Sequence, residues 1–133
     1  MGTTNLDKLV LAEPLTYTQE YTFFVSGAQT TGTKKAAALI SEAGTITDVR
    51  ARLDTAPVGS TFIVDVNKNG TTIFSTQGNR PTIAAAGNNS TTTAPDVTAV
   101  AAGDRLSIDV DQIGSGTAGS DLYVTVTVER NAA

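Results

Sequence analysis

Apolar and polar residues alternate with a period of two along most of this chain, the spacing at which a β-strand sorts its side chains onto opposite faces. In residues 17–25, Tyr17, Gln19, Tyr21 and Phe23 share one face, and Thr18, Glu20, Thr22 and Phe24 the other. Residues 36–40 form a short run after Lys34 and Lys35; its alanines suit a helix, but the run is short and uncapped, so a strand is expected. Residues 45–53 set Ile46, Asp48, Arg50 and Arg52 on a wet face against Thr45, Thr47, Val49, Ala51 and Leu53 on a dry one. Phe62, Val64 and Val66 alternate with Ile63, Asp65 and Asn67. Lys68, Asn69 and Gly70 then form a turn, and residues 71–74 resume a β-rich run. Asn and Gly tolerate the positive φ of primed turns, so Asn69-Gly70 predicts a tight hairpin. Residues 97–101 and 106–111 flank Gly103-Asp104, with Leu106, Ile108 and Val110 facing one way and Ser107, Asp109 and Asp111 the other. Leu122, Val124, Val126 and Val128 alternate with Tyr123, Thr125, Thr127 and Glu129 and must face a core.

Roughly seven to nine such runs, separated by turn residues and with no long amphipathic helix, predict an all-β fold: an antiparallel β-sandwich, jelly-roll-like. An immunoglobulin-like Greek key is a less favoured topology, because its buried Trp and paired Cys are missing. Residues 17–133 form a single β-sandwich domain on this reading, and residues 1–16 a short N-terminal arm. Residues 84–94, rich in Ala, Asn and Thr, are expected as a surface loop.

The arm carries Leu6, Leu9, Val10, Leu11 and Leu15, with Pro14 stopping any helix early. Burying five aliphatic side chains contributes on the order of 5–10 kcal/mol before ordering costs, so the segment needs a partner surface. Either it lies along its own sandwich or it reaches a neighbouring subunit.

Composition narrows the chemistry. The 133 residues include no Cys and no His, which removes disulfides, thiolate metal sites and cysteine nucleophiles, together with the usual general base and zinc ligand. A net charge of -4 with scattered acids argues against nucleic acid and anionic membrane surfaces as partners. No run approaches the roughly 20 apolar residues of a membrane span, and the start carries no signal-peptide pattern, so synthesis in the cytoplasm is expected.

Several side chains could still form sites. Asp104, Asp109, Asp111 and Asp121 offer oxygen ligands to a hard cation such as calcium, without the spacing of a compact loop motif. Asp109 and Asp111, two apart on one strand, are expected on a solvated outer face, where a glycosidase-like acid pair is the sharper reading. Asp48, Arg50 and Arg52 form a charged stripe that could meet a partner or a sugar, and Tyr17, Tyr21 and Tyr123 could stack on carbohydrate. Each also fits a solvated strand face. Neither an enzyme activity nor a cofactor is expected.

The segments "DVNKNGTTIF", "RPTIAAA" and "AAGDRLSIDVDQIG", within residues 44–130, resemble a β-sandwich module of tailed-bacteriophage structural proteins. These are fold-forming motifs. The resemblance implies a binding and scaffolding unit without catalytic residues, serving as a capsid decoration protein or as a tail-fibre-type domain. Opening at Met1 with only a short arm favours decoration: a cement protein, a homo-oligomer with a trimer favoured, that binds the major capsid protein on the outer capsid surface of the virion. Leu6, Leu9, Val10, Leu11 and Leu15 would make the capsid and subunit contacts. The alternative is a tail-fibre or receptor-binding domain that recognises host-surface carbohydrate through residues 84–94 and 114–119.

Overall fold

The structure, a computed structural model, describes residues 15–131. Leu6, Leu9, Val10 and Leu11 of the expected arm lie outside them. Nine strands follow in chain order: β1 (Thr16–Ala28), β2 (Gly32–Leu39), β3 (Gly44–Thr55), β4 (Phe62–Lys68), β5 (Thr71–Thr72), β6 (Thr82–Ile83), β7 (Ala99–Val100), β8 (Arg105–Gln112) and β9 (Ser120–Asn131). All pair antiparallel, in one sheet ordered β1-β9-β3-β7 and a second ordered β2-β8-β4-β5, with β6 also on β4.

β5 and β6 lie along opposite ends of the same β4 edge, Thr71 and Thr72 against Lys68 and Asn67, Thr82 and Ile83 against Ile63 and Phe62. Counted as one interrupted strand, they leave eight. The orders then read first-eighth-third-sixth and second-seventh-fourth-fifth, which is the jelly roll. The expected architecture is therefore observed.

Alternation supplies the core. Leu122, Val124, Val126 and Val128 of β9, Leu106 and Ile108 of β8, and Phe62, Val64 and Val66 of β4 have no exposed surface. Each such side chain contributes about 1.5–3 kcal/mol relative to remaining in water. Tyr21, Val25, Ala36 and Ala38 pack against this core from β1 and β2, which places the alanine-rich run in a strand.

Two departures from strict alternation matter. Ile46 pairs with Val128 and Asp48 with Thr127, so Thr47 is an extra residue in β3. This bulge shifts the phase of the strand, and Ile46, expected on the wet face, joins Val49 in the core. The second concerns residues 84–94. They do run over the surface, yet Thr93 bridges Val49, Asn89 bridges Arg52, and Ser90 exchanges bonds with Ala51. The loop therefore closes the part of the β3 edge that the two-residue β7 leaves open. Its polar composition serves this role: Ser90 Oγ accepts from Ala51 N–H at 2.8 Å, and Asn88 Nδ2 donates to the Leu53 carbonyl at 2.9 Å.

The hairpin after β4 has the expected two-residue turn, with φ of 51° at Asn69 and 89° at Gly70. Its tip is also a fastening point. Asn69 Nδ2 donates to Asp104 Oδ1 at 2.9 Å, and Asn69 Oδ1 accepts from Arg105 N–H at 2.9 Å, which ties the hairpin to the turn before β8. Asn69→Ala removes both bonds and places a Cβ-only residue at positive φ. A loss of about 1–2 kcal/mol in urea unfolding is expected, with faster hydrogen exchange at Arg105 N–H; unchanged exchange there would show that the side chain does not hold the turn.

Candidate interaction surfaces

Leu15 is the one residue of the expected arm contact set within the described residues. It is 50% exposed, and Tyr17, two residues into the chain that follows, is 44% exposed. Their base is nevertheless fixed. Tyr17 Oη donates to Glu42 Oε2 at 3.1 Å, while the buried guanidinium of Arg130 donates to Tyr21 Oη at 2.7 Å and to the Glu42 carbonyl at 2.8 Å. The Arg130 charge also lies 5.7 Å from the Tyr21 ring centroid, within cation-π range. Tyr21 and Tyr17 thus serve as braces at the start of β1, and neither shares a surface with Tyr123.

The four aspartates nominated for a cation are dispersed. Asp104 accepts from Ala101 N–H within its turn and from Asn69 Nδ2 of the hairpin, and Asp121 Oδ1 accepts from Gly27 N–H at 2.7 Å. Asp109 and Asp111 remain on β8. Among the described residues no three potential ligands come together in a way that could hold a metal ion.

Asp109 is not solvated as its outward position suggested. It is buried, together with Ser107 on the same outer face and Asp65 directly opposite on β4. Neighbouring chain covers it and supplies donors: Lys34 N–H and Asn67 Nδ2 reach its two oxygens at 2.9 and 2.7 Å. Arg80 pairs with Asp111 at 2.7 Å. Asp65 Oδ1 accepts from Val66 N–H and Thr72 Oγ1 at 2.8 and 2.6 Å. Burial pushes the Asp65 carboxyl above its ordinary range, and the charges of Asp111 and Asp109 add to the rise against these hydrogen bonds. Periodicity places Asp109 and Asp111 on one face, as observed. It could not show that flanking segments cover that face.

A raised carboxyl pKa means that the folded protein holds its proton more readily than the unfolded chain. The native state therefore loses stability as pH rises from the unfolded carboxyl value through the raised folded one, and that cost persists at neutrality. Asp65→Asn keeps the oxygen that accepts from Val66 and Thr72 and removes the charge. The variant should melt above the parent at pH 7, with the gap closing at about pH 3, where both are neutral at this position. A lower melting temperature at pH 7 would contradict the account.

The outer face of the first sheet carries the other nominated group. Arg50 and Arg52 of β3 lie directly opposite Thr125 and Tyr123 of β9, and across β9 stand Thr22 and Phe24 of β1. Sheet register thus unites the arginine stripe with Tyr123. Thr22, Arg50, Arg52, Tyr123 and Thr125 line an open depression of about 440 Å³, to which Asn89 and Ser90 of the edge-closing loop contribute. Tyr123 Oη donates to Asp54 Oδ2 at 3.2 Å, and this bond, with the Asp54 charge, raises the phenol pKa. Arg50, Arg52 and Tyr123 are candidates from the sequence alone, whereas Phe24 and Asn89 become their neighbours only through strand pairing.

Residues 114–119, proposed as a second outer loop, are tied to the scaffold. Gly116 and Thr117 N–H both donate to the Val58 carbonyl, and Gly114 N–H donates to that of Ala118.

No family model matches the chain, and neither does any curated protein. Solved structures do overlap it. A chain of the cyanophage Pam1 capsid asymmetric unit is similar at 16% identity and TM-score 0.47, covering 87% of this chain and 85% of its own length. The Drosophila NLP-core, described in terms of pentamer formation and histone binding, is similar at 7% identity and TM-score 0.44, with coverage of 86% and 98%. A chain of infectious bursal disease virus, Gt strain, gives 17% identity and TM-score 0.33, with 89% of this chain matching 33% of that one. Two of the three come from viral particles.

Proposed function

We propose that this chain is a non-enzymatic structural protein of a bacteriophage virion, and more specifically a decoration (cement) protein bound to the outer surface of the assembled capsid. The observation that carries the reading is the start of β1, where Leu15 and Tyr17 stand exposed on a base fixed by Arg130, Tyr21 and Glu42. An apolar arm leaving a rigid point suits contact with a neighbouring surface better than completion of its own sandwich. The phage-type motifs of the sequence and the jelly-roll order of the sheets support the same reading.

In this reading the partners are the major capsid protein and further copies of the chain, as a trimer, after synthesis in the host cytoplasm. The mechanism is adhesion. Each bound copy stabilises the assembled shell by mass action, and contacts from several arms add through high effective concentration. The charge of -4 and the dispersal of the acids are compatible with a role in which no substrate is turned over.

Co-sedimentation with emptied, undecorated capsids tests this proposal. The parent protein should saturate the particles at a ratio fixed by capsid symmetry, and Leu9→Asp with Leu11→Asp should weaken binding at least tenfold, on the order of 1.4 kcal/mol, with circular dichroism unchanged. Undiminished binding by the folded variant would remove the arm as anchor. Failure of the parent to bind capsids while it binds host cell walls would move the protein to the tail.

A further inference from the structure

The depression on the outer face of the first sheet is built in rows set by strand register. One row runs Phe24, Tyr123, Arg52 and Asn89 across β1, β9, β3 and the edge-closing loop. The next runs Thr22, Thr125 and Arg50, where the two threonine hydroxyls lie 3.3 Å apart. Large side chains thus flank a floor of small, hydroxyl-bearing ones. Phe24 braces the Tyr123 ring, with centroids 4.8 Å apart and planes tilted by 43°, and stands outside the lining of the depression.

Charge decides the ligand class. Arg50 is paired with Glu20 at 3.1 Å, and Arg52 with Asp54 at 3.6 Å. Asp54 also takes the Tyr123 hydroxyl, and Arg52 Nη1 reaches Asn89 Oδ1 at 3.4 Å. Both guanidiniums therefore present oriented N–H donors with their charge already compensated. Such a surface offers little to a phosphate or sulfate, and a chain of net charge -4 repels polyanions. It suits a ligand with an apolar ring face and a periphery of hydroxyls: the ring lies against Tyr123, and the hydroxyls meet Arg52, Asn89 and the threonine floor. We infer that this face is a binding site for a neutral saccharide. The inference stands apart from the capsid reading, since it uses none of the arm residues, and it places sugar recognition on the sheet face rather than at the tips of the outer loops.

Saturation-transfer NMR of the full chain tests it, with methyl glycosides of glucose, galactose, mannose and N-acetylglucosamine as probes and inorganic phosphate as the anionic control. At least one glycoside should receive saturation, with amide shifts confined to the neighbourhood of Phe24, Tyr123, Arg52 and Asn89. Tyr123→Ala should lower affinity at least tenfold. Asn89→Ala, on an exposed loop and less demanding of the fold, should lower it severalfold while leaving the remaining spectrum in place. Absence of transfer to every glycoside would overturn the inference. So would transfer that both folded variants retain, or shifts at this face produced by phosphate alone.

Discussion

The structure depends most on the position of β9, held between β1 and β3 along nearly its whole length. Ten consecutive-register partners tie it to β1 from Thr16 to Val25, and the β3 pairing follows from Thr45 to Thr55. Its inward residues Leu122, Val124, Val126 and Val128 are fully buried against the facing sheet. A slip by one residue would expose all four and bury Tyr123, Thr125, Thr127 and Glu129 in their place, so the register is strongly specified. The same constraint fixes what the outer face presents. Tyr123 meets Arg52 and Phe24 because the buried half of β9 leaves it no other place.

Sheet edges form the second constraint. An unpaired edge is a template for association, and among the described residues short or irregular segments close two of the four sheet edges. β5 and β6 cover β4, and β7 with residues 88–93 covers β3. Among the described residues β1 and β2 remain terminal in their sheets. Leu15 directly precedes β1, so its exposed side chain adjoins that terminal strand. An exposed apolar side chain beside a terminal strand is compatible with the proposed adhesive role.

Much of this was legible in the sequence. The strands around Phe23, Leu53, Val64, Ile108 and Val126 follow from alternation alone, and Asn69-Gly70 gave the hairpin. The bulge at Thr47 left a trace, because Ile46 and Val49 are three apart and both apolar, but that spacing has several physical solutions. The burial of Asp109 left none: its covering comes from chain distant in sequence, including Lys34 and Asn67. The same holds for Asn89 beside Arg52. Local periodicity specifies which face a residue takes, whereas the environment of that face is decided by long-range pairing.

The most direct test of the central proposal, that the sandwich is a mount whose arm grips a capsid, is an electron cryo-microscopy reconstruction of emptied phage capsids saturated with the purified protein. The account predicts jelly-roll density at symmetry-fixed positions on the outer surface, with chain continuous from Leu15 into contact with the shell or a neighbouring copy. Capsids that show no such density at saturating protein, or sandwiches that touch the shell only through faces remote from Leu15, would contradict it.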